Sequence, residues 1–190
     1  MEQQPRADTH DRIIHAADAL FYAGSIRDVS VDRIAEMAGV TKKTLYYHFR
    51  SKDDLVAAYL AARHKPTLER YKSWAGESGP MPDRIERMFR LLSEAARNPG
   101  WKGCGFIRAA VELADSPGHP ALEAARRYKA AFADWLQNEL DAAGYEASGE
   151  LCMTIMILLD GAIARMMVDR DPNYAITAGK TASKLLATAD

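Results

Sequence analysis

The sequence predicts an all-α fold, and three observations carry that expectation. Ala, Leu, Glu, Arg, Lys and Met are plentiful while β-branched runs are scarce, a composition that favours helix. Apolar residues recur at three-four spacing along most of the 190 residues, the period of one helical face. Glycines and prolines fall mostly between those periodic stretches, where they act as helix punctuation. With 48% hydrophobic residues, a buried core is feasible and the composition argues against disorder. The length fits one large domain or two small ones sharing a core.

The elements follow in order. A first helix is predicted from about Asp8 to Tyr22, with Ile13, Ala16, Ala17, Leu20 and Phe21 on one face and Gly24 as its stop. Ser30 caps a second, short helix carrying Val31, Ile34, Ala35 and Ala38, which Gly39 ends. Thr41 caps a third, with Leu45 and Phe49 inward. Ser51-Lys52-Asp53-Asp54 matches a capping box and opens a fourth helix to about Trp74, kinked at Pro66. After a Gly-Pro-Ser loop at 75–82, a fifth helix buries Ile85, Met88, Phe89, Leu92 and Ala96. Its wet face is expected to carry the pairs Asp83–Arg87 and Glu86–Arg90. A sixth runs from Phe106 to Asp115 and a seventh from Pro120, a residue suited to the first helical position, to about Ala143. An eighth covers Ala147–Asp169 and a ninth follows the turn at Asp171-Pro172-Asn173. No strand or internal repeat is expected.

The net charge of −1 argues against a general nucleic-acid binder, which carries a basic excess. The balance hides a local bias: Lys42, Lys43, Arg50 and Lys52 lie between positions 41 and 52 with no acid among them. Cys104 and Cys152 form no CxxC pair, the five histidines are scattered, and no metal or cofactor is expected. The N-terminus lacks an apolar signal region. Leu151–Val168 is interrupted by Asp160 and Arg165 and reads as a buried helix rather than a membrane span. The expected compartment is the cytoplasm.

The stretch 30–52 is the informative one. Two short helices joined by Gly39-Val40-Thr41 meet the needs of a helix-turn-helix. Ala35 is small where the second helix crosses, and Gly39 tolerates a left-handed backbone. Ile34, Ala38, Val40 and Leu45 are spaced to hold the crossing. The second helix shows Lys42, Lys43, Thr44, Tyr47 and His48 outward, groups that neutralise phosphates or donate hydrogen bonds to them. Lys52 opposes the macrodipole of the helix it opens, a conflict that a DNA phosphate there would relieve. Without DNA, the same segment is a structural helical hairpin.

The run Ile13–Leu55 resembles the N-terminal domain of the tetracycline-repressor (TetR) family of bacterial regulators. The residues that carry it are Ala16-Ala17, Leu20-Phe21, Ile34-Ala35, Ala38-Gly39-Val40-Thr41, Thr44-Leu45-Tyr46-Tyr47-His48-Phe49, Ser51-Lys52 and Leu55. The resemblance implies a DNA-binding set of Lys42, Lys43, Thr44, Tyr46, Tyr47, His48 and Lys52, to which the caps Ser30 and Thr41 are added, with Leu45 and Phe49 in the core. The family often has glycine or proline where this chain has Lys43, and a long cation there alters which base is read. Gly103-Cys104-Gly105-Phe106 leading into Glu112, and Leu159-Asp160-Gly161-Ala162, are similar to one branch of the family. They imply an effector pocket between the middle helices and a dimer built by the last two. The expected division is residues 1–52 for DNA binding and 53–190 for a larger effector-binding and dimerisation domain.

An effector pocket is expected from Trp74, Met88, Phe89, Trp101, Phe106, Phe132, Trp135 and Met156, with Arg108 and Asp160 as polar anchors. Its ligand would be apolar or amphipathic. Ordinary core packing is the alternative for each residue. Small residues Gly161, Ala164, Gly179 and Ser183 mark the expected homodimer interface. The eighth helix is apolar nearly all round, more than one core face requires. The resulting expectation is a ligand-responsive regulator, a repressor acting as a homodimer on a palindromic operator, and not an enzyme. The alternatives are a small-molecule-binding helical protein with a structural N-terminal hairpin, and a thiol enzyme using Cys104.

Overall fold

The computed structural model describes residues 8–189, and these form nine α-helices and no strand. They are α1 Thr9–Ala23, α2 Val31–Ala38, α3 Lys42–His48, α4 Lys52–Ala75, α5 Met81–Ala96, α6 Gly105–Glu112, α7 Pro120–Ala142, α8 Ser148–Asp169 and α9 Asn173–Thr188. Two boundaries differ from expectation. Glycine at 105 opens α6, and α6 stops at Glu112, whose carboxylate reaches the α1–α2 connection. Pro66 lies inside an uninterrupted α4.

The described residues divide into two compact units: 8–64 with 105–126, and 65–104 with 127–189. These packing units are a different partition from the functional division at 52 expected from the sequence. The first half of α4, all of α6 and the start of α7 join the N-terminal helices.

In the first unit, Ile13, Ala17, Ile34, Leu45, Leu55, Val56 and Leu60 are fully shielded from solvent. Polar side chains tie its surface. Arg63 on α4 pairs with Asp18 on α1, and its guanidinium lies 4.4 Å from the Tyr22 ring. His119 Nε2 meets Asp53 at 3.3 Å, a partner distant in sequence.

In the second unit, α9 packs against both α5 and α8. Ile85, Met88, Phe89 and Leu92 form the inner face of α5, as the spacing predicts. The expected pairs Asp83–Arg87 and Glu86–Arg90 are absent among the described residues. Arg87 instead donates to the carbonyls of Trp74 and Ala75, and Arg90 pairs with Glu94 at 2.7 Å. Freed carbonyls at the end of α4 need donors more than an exposed carboxylate does. Arg84 completes this closure, binding the Gly76 carbonyl at 2.9 Å and Glu139 at 2.5 Å.

The expectation that α8 is buried holds on one side only. Cys152, Ile155, Leu159, Ala162, Ile163 and Met166 face inward. Met153, Ile157, Gly161, Ala164 and Val168 are exposed and, at spacings of three and four, form one apolar stripe. By length and composition α8 could cross a membrane, and only 33% of its apolar window is buried.

Candidate nucleic-acid interface

The helix-turn-helix is built by local chemistry. Ser30 Oγ accepts from the Arg33 amide at 3.2 Å, and Thr41 Oγ1 accepts from the Thr44 amide at 3.1 Å, so each short helix has its N-cap. Gly39 adopts φ 64° and ψ 39°, the left-handed conformation that ends α2. Its amide and that of Val40 return to Glu36 O and Ala35 O, both at 3.0 Å. Arg12 of α1 fastens the turn, donating to Ala38 O at 2.8 Å and Gly39 O at 3.0 Å. Sequence reasoning missed Arg12, since only the fold brings it to those carbonyls.

Leu45 and Phe49 sink into the core and thereby fix which face of α3 looks outward. That face presents Lys43, Tyr46 and Tyr47, with Tyr47 86% exposed and Tyr46 44%. Tyr47 meets the half-buried His48 ring edge-on at 5.4 Å, which restricts its swing. An exposed tyrosine held by an edge contact is poised to offer its hydroxyl outward. Lys42 is exposed but bonded to Asp32 at 3.0 Å, which holds its charge and raises its pKa. Thr44 shares a hydroxyl bond with Thr41 at 2.8 Å.

Lys52 is differently placed from the sequence expectation. Its Nζ donates to the carbonyl of Arg27 at 3.1 Å, so no phosphate is needed to account for a cation at this helix start. Partial burial lowers its pKa despite the nearby carboxylates of Glu112, Asp53 and Asp28. Asp53 and Asp54 in the same turn satisfy the macrodipole. The expected capping bond, Asp54 amide to Ser51 Oγ at 3.0 Å, is present.

The α1–α2 connection is held by Glu112 and Arg108, in a role that the sequence did not show. Glu112, the last residue of α6, accepts from Ser25 Oγ at 2.5 Å, Arg27 N at 2.7 Å and Ile26 N at 3.1 Å. Burial alone would raise this carboxyl's pKa. The bonds from Ser25 and from the Arg27 and Ile26 amides, with Arg108 nearby, outweigh burial and hold it below the usual range. Arg108 donates to Tyr22 O at 2.8 Å and Gly24 O at 2.7 Å. Two Arg108 donors are thus engaged by carbonyls at the end of α1, a structural role beside the pocket-anchor role expected from the sequence. Phe106, expected beside it in an effector pocket, also belongs to this first unit and is buried there.

A likeness over nearly the whole chain is decisive for the family. The structure of SCO4454, a TetR-family transcriptional regulator from Streptomyces coelicolor, superposes with a TM-score of 0.79 at 30% identity, covering 94% of this chain and 93% of that one. This chain belongs to the TetR family. The profile of bacterial regulatory proteins of the tetR family matches residues 13–59, the segment that holds the helix-turn-helix of this TetR-family chain. The regulator sav143 of Streptomyces avermitilis has a TM-score of 0.85 at 28% identity, covering 96% of this chain and 98% of that one. The HTH-type transcriptional regulator SrpR of Pseudomonas putida is 42% identical over 59 residues, which are 31% of this chain and 28% of SrpR. YjdC of Escherichia coli strain K12, also an HTH-type transcriptional regulator, is 30% identical over 110 residues, 58% of this chain and 57% of YjdC. The chain thus spans less than two thirds of these two relatives.

The remaining expected sites of this TetR-family member scatter. Trp74 and Phe132 meet Tyr71, and Trp135 meets Phe132, in one aromatic cluster with centroid separations of 5.1–5.3 Å. Trp135 lines an open cleft of about 560 Å³, and Trp101 lines a separate one of about 420 Å³. Met88 and Phe89 are wholly buried core, and Met156 is half-buried. Asp160 is neutralised by Lys129 at 2.5 Å, so its charge has a structural partner. Gly179 is buried, and a Cβ there would lie 2.6 Å from Phe89 Cβ. Close packing on α5 within the chain explains this glycine without a dimer. Gly161 and Ala164 are exposed, and Ser183 is half-buried. Cys104 is a half-buried free thiol, and Cys152 is buried with its thiol pKa raised by desolvation.

Proposed function

We propose that the chain works as a homodimeric repressor that reads a palindromic DNA operator through α3 and is released by a small-molecule effector. The observation that carries the reading is α3 itself. Its apolar side is locked by Leu45 and Phe49, and its outer side offers Lys43, Tyr46 and Tyr47. A helix so anchored can enter a major groove and keep its own packing. Lys43 and Tyr47 read base edges. Ser30, Thr41, Lys42, Thr44, His48 and Lys52 border the reading face and set its register on the phosphates.

The exposed stripe Met153, Ile157, Gly161, Ala164 and Val168 supports the dimer. Two copies of such a stripe bury each other about a twofold axis, with Gly161 permitting close approach because, its own helix backbone aside, nothing among the described residues lies within 4 Å of a Cβ there. The two clefts beside Trp101 and Trp135 support an effector. Helix α4 carries the signal in this reading, because it is continuous from Lys52 to Ala75 and thus belongs to both units.

Selection of bound sequences from a random duplex pool tests the proposal. A two-fold symmetric motif with half-sites about one helical turn apart is the expected result. Failure to enrich any sequence, or enrichment of an asymmetric one, would overturn it.

A further inference from the structure

We infer that the cleft between the end of α5 and the α8–α9 turn is a binding site for a compact organic carboxylate. Arg97, Pro99, Trp101, Met166, Arg170 and Pro172 line it, and no acid does. Its volume of about 420 Å³ lies at the small end of ligand cavities. The proposal deepens the effector reading by giving one cleft a ligand chemistry, and it rests on that reading only for its consequence at DNA.

The charges in this cleft are unbalanced in a way that their neighbours are not. Arg90 on α5 pairs with Glu94, and Arg165 on α8 pairs with Asp169, both at 2.7 Å. Those pairs consume the nearby acids of each helix. Asp171 has an oxygen turned to the Asn173 amide at 2.9 Å. The guanidiniums of Arg97 and Arg170 are left without an ion-pair partner among the described residues. Two unmatched cations on one small cleft repel, and a carboxylate between them relieves that repulsion and accepts their hydrogen bonds.

Arg170 adds an independent observation. It ends α8 at φ 56° and ψ 28°, and it is the only non-glycine with positive φ among the described residues. Glycine suits this left-handed C-cap, and a long side chain there is disfavoured. The chain thus keeps an arginine where the backbone prefers none, in the lining of a cleft that already includes another. Trp101 and Met166 supply an apolar, polarisable wall for the ligand's body, which favours an aryl carboxylate. The Trp135 cleft differs. Glu69, Glu77 and Glu139 line it, and its cations Lys72 and Arg84 are paired with Glu69 and Glu139. It has no unmatched cation for an anion.

The test is calorimetric titration of the full chain with benzoate, and with benzamide as its uncharged counterpart. Benzoate is expected to bind once per chain and at least about tenfold more tightly than benzamide. Arg170→Gly relieves the left-handed backbone, so its melting temperature should hold or rise while benzoate affinity falls at least about tenfold. Arg97→Gln should weaken benzoate similarly, and Arg90→Gln, a paired arginine outside the cleft, should not. Absent binding, equal affinity for benzamide, or unchanged affinity in a folded Arg170→Gly variant would each overturn the site. Titration of the selected DNA with and without benzoate is a separate readout. Benzoate binding with unaltered DNA affinity would keep the site and overturn its role as the effector site.

Discussion

Helices α3 and α8 both leave one face uncovered, and the faces are chemically opposite. The seven residues of α3 turn Lys43, Tyr46 and Tyr47 to solvent. The 22 residues of α8 turn out Met153, Ile157 and Val168, each at least 65% exposed, around Gly161 and Ala164. A face of hydrogen-bonding aromatics and cations is stable in water and suits a hydrated, charged partner such as DNA. An apolar stripe gains free energy only when covered, at about 25 cal/mol per Å² of apolar surface removed from water. The contrast teaches that exposure alone does not define a site: the chemistry of what is exposed says which class of partner completes it.

The strongest way to break the comparison is at α8. Replacing Ile157 by Glu, or Gly161 by Arg, should convert a dimer into monomers and lower operator affinity by roughly a hundredfold or more, because each half-site is then bound alone. Sedimentation and DNA titration measure both effects. Wild-type protein that is already monomeric at micromolar concentration would remove α8 from the comparison.

A second perturbation concerns α9, whose inner face is closed rather than open. Gly179→Ala sets a Cβ against Phe89 and should destabilise the fold by about 1–3 kcal/mol, seen as a lower denaturation midpoint. An unchanged midpoint would mean that α5 and α9 yield easily.

At α3, Tyr47→Ala should leave the melting temperature nearly unchanged and weaken binding to the selected operator by about 1–3 kcal/mol, with relaxed preference at one base pair. Equal weakening on every sequence would demote Tyr47 to a phosphate-binding role.

The Glu112 clamp on the α1–α2 connection gives a pH signature. Glu112 has a folded pKa below its unfolded value, so its stabilisation is fully present above the unfolded carboxylate value of about 4.3. It is lost as pH falls through the folded pKa. Glu112→Gln should therefore lower stability modestly at neutral pH and flatten the acid limb of the stability curve. An unchanged acid limb would show that the carboxylate's charge contributes nothing.

The smallest effect belongs to Lys52. Because it is held to the Arg27 carbonyl, Lys52→Ala should reduce DNA affinity only a few-fold, equally on all sequences. The salt slope should shrink by about one for each phosphate that a subunit no longer neutralises. A change of base preference would contradict its phosphate role.

The N-terminal motif was legible because its requirements are local. Gly39 is read from its place between two periodic helices, Ser30 and Thr41 from their cap positions, and Leu45 with Phe49 from spacing. The clamp of Glu112 and Arg108 was not legible. Its partners lie more than 80 residues away, and most are backbone groups, which carry no residue-type signature. The same gap hid the structural role of Arg108: an arginine in an apolar stretch reads as a pocket anchor, and only the fold places the carbonyls of Tyr22 and Gly24 beside it.

The sequence by itself determined the helical class, the two capped helices of the reading head and the surplus of apolar surface on α8, since each follows from periodicity and short-range backbone chemistry. Tertiary structure alone decided which charges are consumed and which are left over. Asp160 is matched by Lys129, Lys52 by a carbonyl, and Arg97 and Arg170 by no ion-pair partner among the described residues. A side chain's residual charge depends on neighbours within a few ångströms, and the fold draws those neighbours from anywhere in the chain.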